Sequence, residues 1–474
     1  MKKTLLTSLL VLVMMQAVRS QCLQPVNFQL QKSLAMPSPS TQLNMTAHRD
    51  TAVSKPYLYI SGKGAGLLVY NISSIASPSL VATVSIFSLN GLHVMSSTQA
   101  GNYLYLALGD HFNASAQKSG MAIVDISNPA SPVVKDTYSY TTTSGAGQVA
   151  VDGNYAYLSA MQNGIIVLDV TNKSNIIFKS VFKPSIHFPK VNPDASEQDK
   201  INVRQIVVKN DILYVCYDAG GLRIVNAANK MALVETGHYS NPLLNSRPRA
   251  YNNLVLNDSL VYVATDYCGL EILNVKDTAN ISQLSWWNPW HCETPANDWF
   301  NSIGHANEIE FDPVCKLVFM SAGRSDLFAV NVNNPLLPDS CARFGIPGDS
   351  LGTWGVGRYN NQIYLSYIYA AVPFYVNWGG TKILSYDNNC STTGFREITF
   401  KDEATLFPNP ASDRLSVKQA HQKPLAYKIF NALGTECSNG KMQGDIDVSE
   451  LKSGVYLLML YDQGQNRAFR FIKE

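Results

Sequence analysis

The chain has 474 residues, 46% of them apolar, and its 37 basic residues nearly balance 35 acidic ones for a formal charge of +2. At roughly 150 residues per domain, that length exceeds one ordinary domain. The charge balance excludes an electrostatic case for nucleic acid or an acidic membrane surface as partner.

Lys2 and Lys3, the apolar run Leu5 to Met15, and Val18 and Ser20 ahead of Gln21 predict a secretory signal peptide over residues 1–20. The run is too short to anchor the chain, so no transmembrane span is expected after cleavage. Lipidation at Cys22 is the rival reading. Arg19-Ser20-Gln21 has neither the small residues nor the leucine of a lipobox. Residues 21–43 form an N-terminal segment that can supply a ring-closing strand.

From residue 44 to 390 one pattern recurs seven times: an aromatic-ended strand, a short loop that usually holds glycine, and a second apolar strand often ending in Asp or Asn. Tyr57-Leu58-Tyr59-Ile60-Ser61 precedes Gly66-Leu67-Leu68-Val69-Tyr70-Asn71, and Tyr103-Leu104-Tyr105-Leu106-Ala107 precedes Gly120-Met121-Ala122-Ile123-Val124-Asp125. The marker aromatics are Tyr59, Tyr105, Tyr157, Tyr214, Tyr262, Phe319 and Tyr364. Their spacing has the scale of a four-stranded propeller blade. A hairpin strand precedes each marker, as in Val149-Ala150-Val151 before Asp152-Gly153-Asn154, and a Pro-rich turn leads to a fourth strand, as in Asn128-Pro129 before Val133-Val134. The expected fold is therefore all-β: a seven-bladed β-propeller whose closure hides most strand edges. These copies resemble the LVIVD-repeat proteins, bacterial propellers named for strands like Met121-Ala122-Ile123-Val124-Asp125. Membership implies fold and export, with no catalytic residues.

Residues 391–400 read as a linker. From Lys401 the grammar changes to Leu406-Phe407-Pro408-Asn409-Pro410, Tyr427-Lys428-Ile429-Phe430-Asn431, Ile446 to Leu457 and a terminal Arg467 to Lys473. Alternation in Arg414-Leu415-Ser416-Val417 and the apolar run Val455 to Leu460 predict a small Ig-like β-sandwich over 401–474. These motifs resemble the type IX secretion sorting domain of Bacteroidota. The resemblance implies the type IX machinery as a partner, passage through the periplasm, and delivery to the outer-membrane surface or the extracellular space.

In a blade, the link from fourth strand to the next first strand and the link from second to third strand open on one face. The long insertions, Gly109 to Ser119, Lys183 to Lys200, Trp286 to His305 and Ile368 to Gly379, all fall there, so recognition is expected on that face. Counting nine residues back from most markers, and eleven in the sixth blade, gives Asp50, Gln148, Gln205, Asn253, Glu308 and Gly355 where the inner strand meets the channel mouth. The first five are candidate ligand-binding residues; the other reading is a solvated channel of water-bridged side chains. Trp286, Trp287 and Trp290 are candidates for a sugar-stacking platform, with a loop mini-core as the alternative.

Catalytic motifs are thin. No nucleophile elbow, zinc-protease helix or phosphate loop occurs, and neither a cofactor nor a metal site is expected. The function expected is non-catalytic binding of a glycan or protein ligand. A hydrolase or lyase using Asp50, Asp266 and Glu308 across the channel is the alternative. All eight cysteines follow the signal peptide, in an oxidising compartment. Their positions suggest the disulfides Cys268–Cys292, Cys315–Cys341 and Cys22–Cys390, with Cys216 and Cys437 as thiols.

Overall fold

Each marker aromatic sits mid-strand with a partner on either side. Tyr59 faces His48 and Val69, Tyr157 faces Ala150 and Val167, and Tyr364 faces Gly357 and Ile383. The two middle strands of a sheet are covered on both faces. This is why they read as unbroken apolar runs such as Ile165–Asp169, whereas outer strands such as Ser79–Val84 stay largely exposed. The computed structural model describes residues 26–36, 45–112, 117–192, 201–369, 376–387, 405–418, 425–431, 435–442, 444–462 and 465–474. The signal peptide, Cys22, Cys390 and residues 391–400 lie outside the described residues.

Among the described residues, seven four-stranded antiparallel sheets make up the first unit, so the propeller has seven blades. Their inner strands are Thr46–Arg49, Val94–Ala100, Val149–Asp152, Gln205–Lys209, Tyr251–Asn257, Ile309–Asp312 and Thr353–Tyr359, numbered here as blades 1 to 7. Neighbouring inner strands pack in one cycle, with blade 1 against blade 7. A separate apolar cluster fills every blade-to-blade interface. Leu104 and Leu106 meet Val69 between blades 1 and 2, and Tyr364 and Ile383 meet Leu58 and Ile60 between blades 7 and 1.

Blade 7 takes its outer strand from the N-terminal side of the chain: Phe28–Ala35 pairs antiparallel with Gly380–Tyr386. One detail identifies it as a true fourth strand. In blades 1 to 6 the outer strand carries a one-residue bulge just beyond the residue facing the marker, at Val81, Lys135, Lys179, Thr236, Leu284 and Cys341. Gln31 is the same bulge in blade 7.

Two further repeats explain the sequence pattern. The Asp or Asn ending the third strand caps the following turn: Asn71, Asp125, Asp169, Asn226, Asn274 and Asn331 each accept the backbone N–H two residues on. The recurrent acid of the repeat is thus a turn former. Four residues past each of the first six markers, a carbonyl accepts an N–H from at or just before the start of the next inner strand: Lys63 from Val94, Gly109 from Ala146, Met161 from Val203, Asp218 from Tyr251, Asp266 from Ala306 and Gly323 from Thr353. These bonds tie blade to blade on the insertion-bearing face.

The second unit, Thr392–Glu474, is a sandwich of two sheets. Thr405–Phe407, Arg414–Lys418 and Ile446–Asp447 form one, and Glu436–Met442, Leu425–Asn431, Gly454–Asp462 and Gln465–Lys473 the other. Leu415, Ile429, Ile446, Leu458 and Phe471 form its own core. Among the described residues, no helix is long and apolar enough to cross a membrane.

Candidate functional site

A cavity of about 440 Å³ lies inside the ring, lined by residues from all seven blades. That volume falls within the roughly 300–1,000 Å³ usual for small-molecule sites. Its wall is built in tiers. The upper tier comprises Met45, Met95, Gly147, Arg204, Asn252, Asn307 and Trp354, one residue from each blade. Met45, Gly147, Arg204 and Asn307 donate their N–H groups to the equivalent second-strand carbonyls of Ser61, Ser159, Cys216 and Ser321. Met95, Asn252 and Trp354 lie within register shifts of their inner strands. Such bulges re-aim a side chain.

Directly below come Thr46, Ser96, Gln148, Gln205, Asn253 and Glu308, so four of the five polar residues singled out by counting share one cavity. Their chemistry is partly committed to the ring itself. The Gln205 side chain pairs with both backbone groups of Leu254, accepting its N–H and donating Nε2 to its carbonyl at 3.1 Å. Asn253 Oδ1 accepts from Ile309 N at 3.2 Å, and Glu308 Oε2 from Val356 N at 3.3 Å. Above them, Asn252 donates to Ala306 O at 2.9 Å and Asn307 to Thr353 O at 2.8 Å. In blade 7 the tier holds Gly355, where an added Cβ would lie 2.3 Å from Met45 O; the ring closes there by direct backbone approach. The buried oxygens of Gln148 (Oε1) and Ser96 (Oγ) have no hydrogen-bond partner in the protein.

Asp50 is not in this wall. Blade 1 has a long first hairpin loop between Arg49 and Tyr57, so Thr46 occupies the register, thirteen residues before Tyr59 instead of nine. Asp50 sits at the other end of the strand, fully buried. It accepts from Tyr59 Oη at 2.6 Å, Gln99 Nε2 at 3.1 Å and Ala52 N at 2.8 Å. Asp266 is likewise elsewhere, held by His305 Nδ1 at 2.6 Å and Trp299 Nε1 at 2.9 Å.

The tryptophan-rich insertion is mainly its own core. Trp286 donates to Cys268 O at 2.7 Å beside the Cys268–Cys292 disulfide. Trp287 packs edge-on to Phe328 at 5.1 Å. Trp290 is 9% exposed and lies against Gly304, where a Cβ would collide with its ring at 1.9 Å. Trp286 and Trp287 border a shallow outer groove with Leu336 and Leu337, and none of the three lines the axial cavity. Trp354, which counting passed over by one residue, does. Cys315 and Cys341 are also disulfide-bonded, and Cys216 and Cys437 are free.

Electrostatically the cavity is close to neutral. Burial, reinforced by Glu310, pushes the Glu308 carboxyl up to about 8, against the pull of the Val356 N–H. Burial likewise takes Glu310 up to about 7, opposed by Arg358. The imidazoles of His48 and His111 are pushed down by burial, His111 to about 3 with Arg204 adding to the shift. Arg204 is the fixed cation of the wall, and its Nε lies 3.2 Å from Asp218. Among the described residues, no group of three or more His, Cys, Asp or Glu side chains is placed to hold a metal ion.

The LVIVD repeat family matches residues 47–85, 98–140 and 145–183, which coincide with blades 1 to 3, and the secretion system C-terminal sorting domain matches residues 405–474. No curated protein matches the chain. Among solved structures, a chain of a mitotic checkpoint complex is similar at 12% identity and a TM-score of 0.51, over 75% of this chain and 95% of that one. The computationally designed Ika8 protein aligns at 10% identity and a TM-score of 0.46, over 93% of this chain and 99% of its own. At 12% identity the likeness to the checkpoint-complex chain is one of fold, which by itself fixes no function.

Proposed function

For a chain that carries LVIVD repeats on a β-propeller and a type IX sorting domain at its C-terminus, we propose that the propeller is a non-catalytic binding protein for a glycan or a surface-protein segment. The sorting domain directs the chain to the cell surface or extracellular space and makes the secretion machinery a partner. The observation that carries the binding reading is the convergence of Gln148, Gln205, Asn253 and Glu308 on one cavity. Two of that cavity's buried oxygens, on Gln148 and Ser96, have no protein partner. Buried polar atoms are normally satisfied, so these are the acceptors a polar ligand or solvent would meet.

One observation favours a second reading, a carbohydrate-active hydrolase or lyase. Glu308 and Glu310 stand two residues apart on the wall with carboxyls raised to about 8 and about 7, the range of a general acid. Incubating the protein with a polysaccharide panel separates the two: retention without product supports binding, and product formation abolished in Glu308→Gln supports the enzyme.

A further inference from the structure

The upper tier of the cavity has two unlike arcs. Met45, Met95 and Trp354 come from the adjacent blades 1, 2 and 7 and pack together with Ile368 and Val376. Across the ring, Arg204, Asn252 and Asn307 come from the adjacent blades 4, 5 and 6. One arc is apolar and aromatic, the other a run of amides and a guanidinium.

The aromatic arc is extended by an insertion. Phe112, from the loop after the second strand of blade 2, reaches past blade 1 to meet Trp354 edge-to-face, with centroids 4.8 Å apart and planes at 82°. His111 packs tilted against Phe112 at 4.3 Å, and its Nδ1 lies 3.1 Å from Ala146 O, which fixes His111 beside the mouth. Phe112 is 41% exposed and Trp354 half-buried, so the corner they form is open to the outside.

We infer that this mouth is a carbohydrate subsite, in which one neutral sugar ring lies against the Trp354–Phe112 corner with its hydroxyls toward Arg204, Asn252 and Asn307. The inference rests on the binding function proposed above and names its ligand class and anchor residue. A pyranose has an apolar C–H face and an equatorial rim of hydroxyls, which matches an aromatic wall opposed by a polar one. Asn252 and Asn307 each commit an amide N–H to the next blade, which fixes both side chains and leaves their oxygens as acceptors. Arg204 is held by Asp218, so its charge is offset and the mouth is suited to a neutral ligand. Trp286, Trp287 and Trp290 take no part.

The test is calorimetric titration of the full-length protein with neutral cello-, xylo-, manno- and N-acetylated chito-oligosaccharides. At least one series is expected to bind. Trp354→Ala should weaken it by about tenfold or more, with Trp354→Phe retaining most of the affinity. Because Trp354 also packs in the apolar arc, Phe112→Ala on the exposed loop is the companion variant, expected to weaken binding by about three- to tenfold with an unchanged melting temperature. No binding by any series overturns the inference. So does binding that Trp354→Ala and Phe112→Ala leave intact, which would keep the binding function but move the sugar elsewhere. Turnover of a bound oligosaccharide, with a KM raised about tenfold by Trp354→Ala, would overturn the non-catalytic reading and uphold the subsite.

Discussion

The side chain of Gln205 pairs with the backbone of Leu254 as though it were a strand residue, taking the N–H and returning an N–H to the carbonyl across the gap between blades 4 and 5. Gln205 is 6% exposed and Leu254 1%, so removing the amide strands two buried backbone groups. Gln205→Ala is expected to cost about 1–3 kcal/mol in urea unfolding. Gln148→Ala, at the same register but with an unpartnered oxygen, should cost less than about 1 kcal/mol.

Glu271 in blade 5 is fully buried and surrounded by hydroxyls and amides, with Tyr251 Oη donating at 3.1 Å. Burial raises its carboxyl from 4.5 to about 7 despite those bonds. A carboxyl whose folded-state value is raised costs nothing below pH 4.5, where it is protonated in both states. Stability then falls as pH rises from 4.5 to about 7 and stays reduced above. Glu271→Gln should therefore leave stability near pH 4 almost unchanged and raise it at pH 8, by up to about 3 kcal/mol. Unfolding curves at the two pH values check the sign.

The blades were legible because their chemistry is local: a marker aromatic, a buried third strand and an Asx-capped turn recur within each copy. That a strand from residues 21–43 closes the ring follows from the repeat ending one strand short, but its pairing of Phe28–Ala35 with Gly380–Tyr386 joins segments some 350 residues apart, and no local pattern encodes the register. Asp50 falls outside the wall because a fixed count assumes a constant hairpin, and the loop of blade 1 is longer. Trp354 escaped for the opposite reason: the count is right but stops at Gly355, and the register shift beside it turns the neighbour into the wall. Its signal was a tryptophan outside the 286–299 cluster, next to a glycine in a tier otherwise polar. Gln205, Asn253 and Glu308 are legible as polar mouth residues, but their bonds to the next blade's backbone depend on ring geometry that sequence does not carry.

Cysteine mapping tests the loop chemistry. Peptides from the non-reduced protein should contain Cys268 joined to Cys292, which the structure bonds. We also expect Cys315 joined to Cys341, and Cys22 to Cys390. Cys437 is exposed and should alkylate in the native protein. Cys216 is buried with its thiol pushed well up by burial, and should react only on unfolding.

The sandwich has its own core and the propeller closes without it. A chain lacking residues 401–474 is expected to melt cooperatively, yet to accumulate in the periplasm. Surface display of the truncated chain at normal levels, seen by cell fractionation, would contradict the sorting role.

The central claim is that the axial cavity holds the ligand. Gln148 lines it at mid-height, and its side-chain oxygen makes no bond to the protein. Gln148→Trp therefore fills the cavity while sparing the inter-blade bonds. The decisive measurement is the affinity of this variant for whichever oligosaccharide or surface protein the native chain retains, taken alongside its melting curve. Loss of binding by about a hundredfold with the fold intact is the predicted result. Undiminished binding by a folded Gln148→Trp protein would contradict the account.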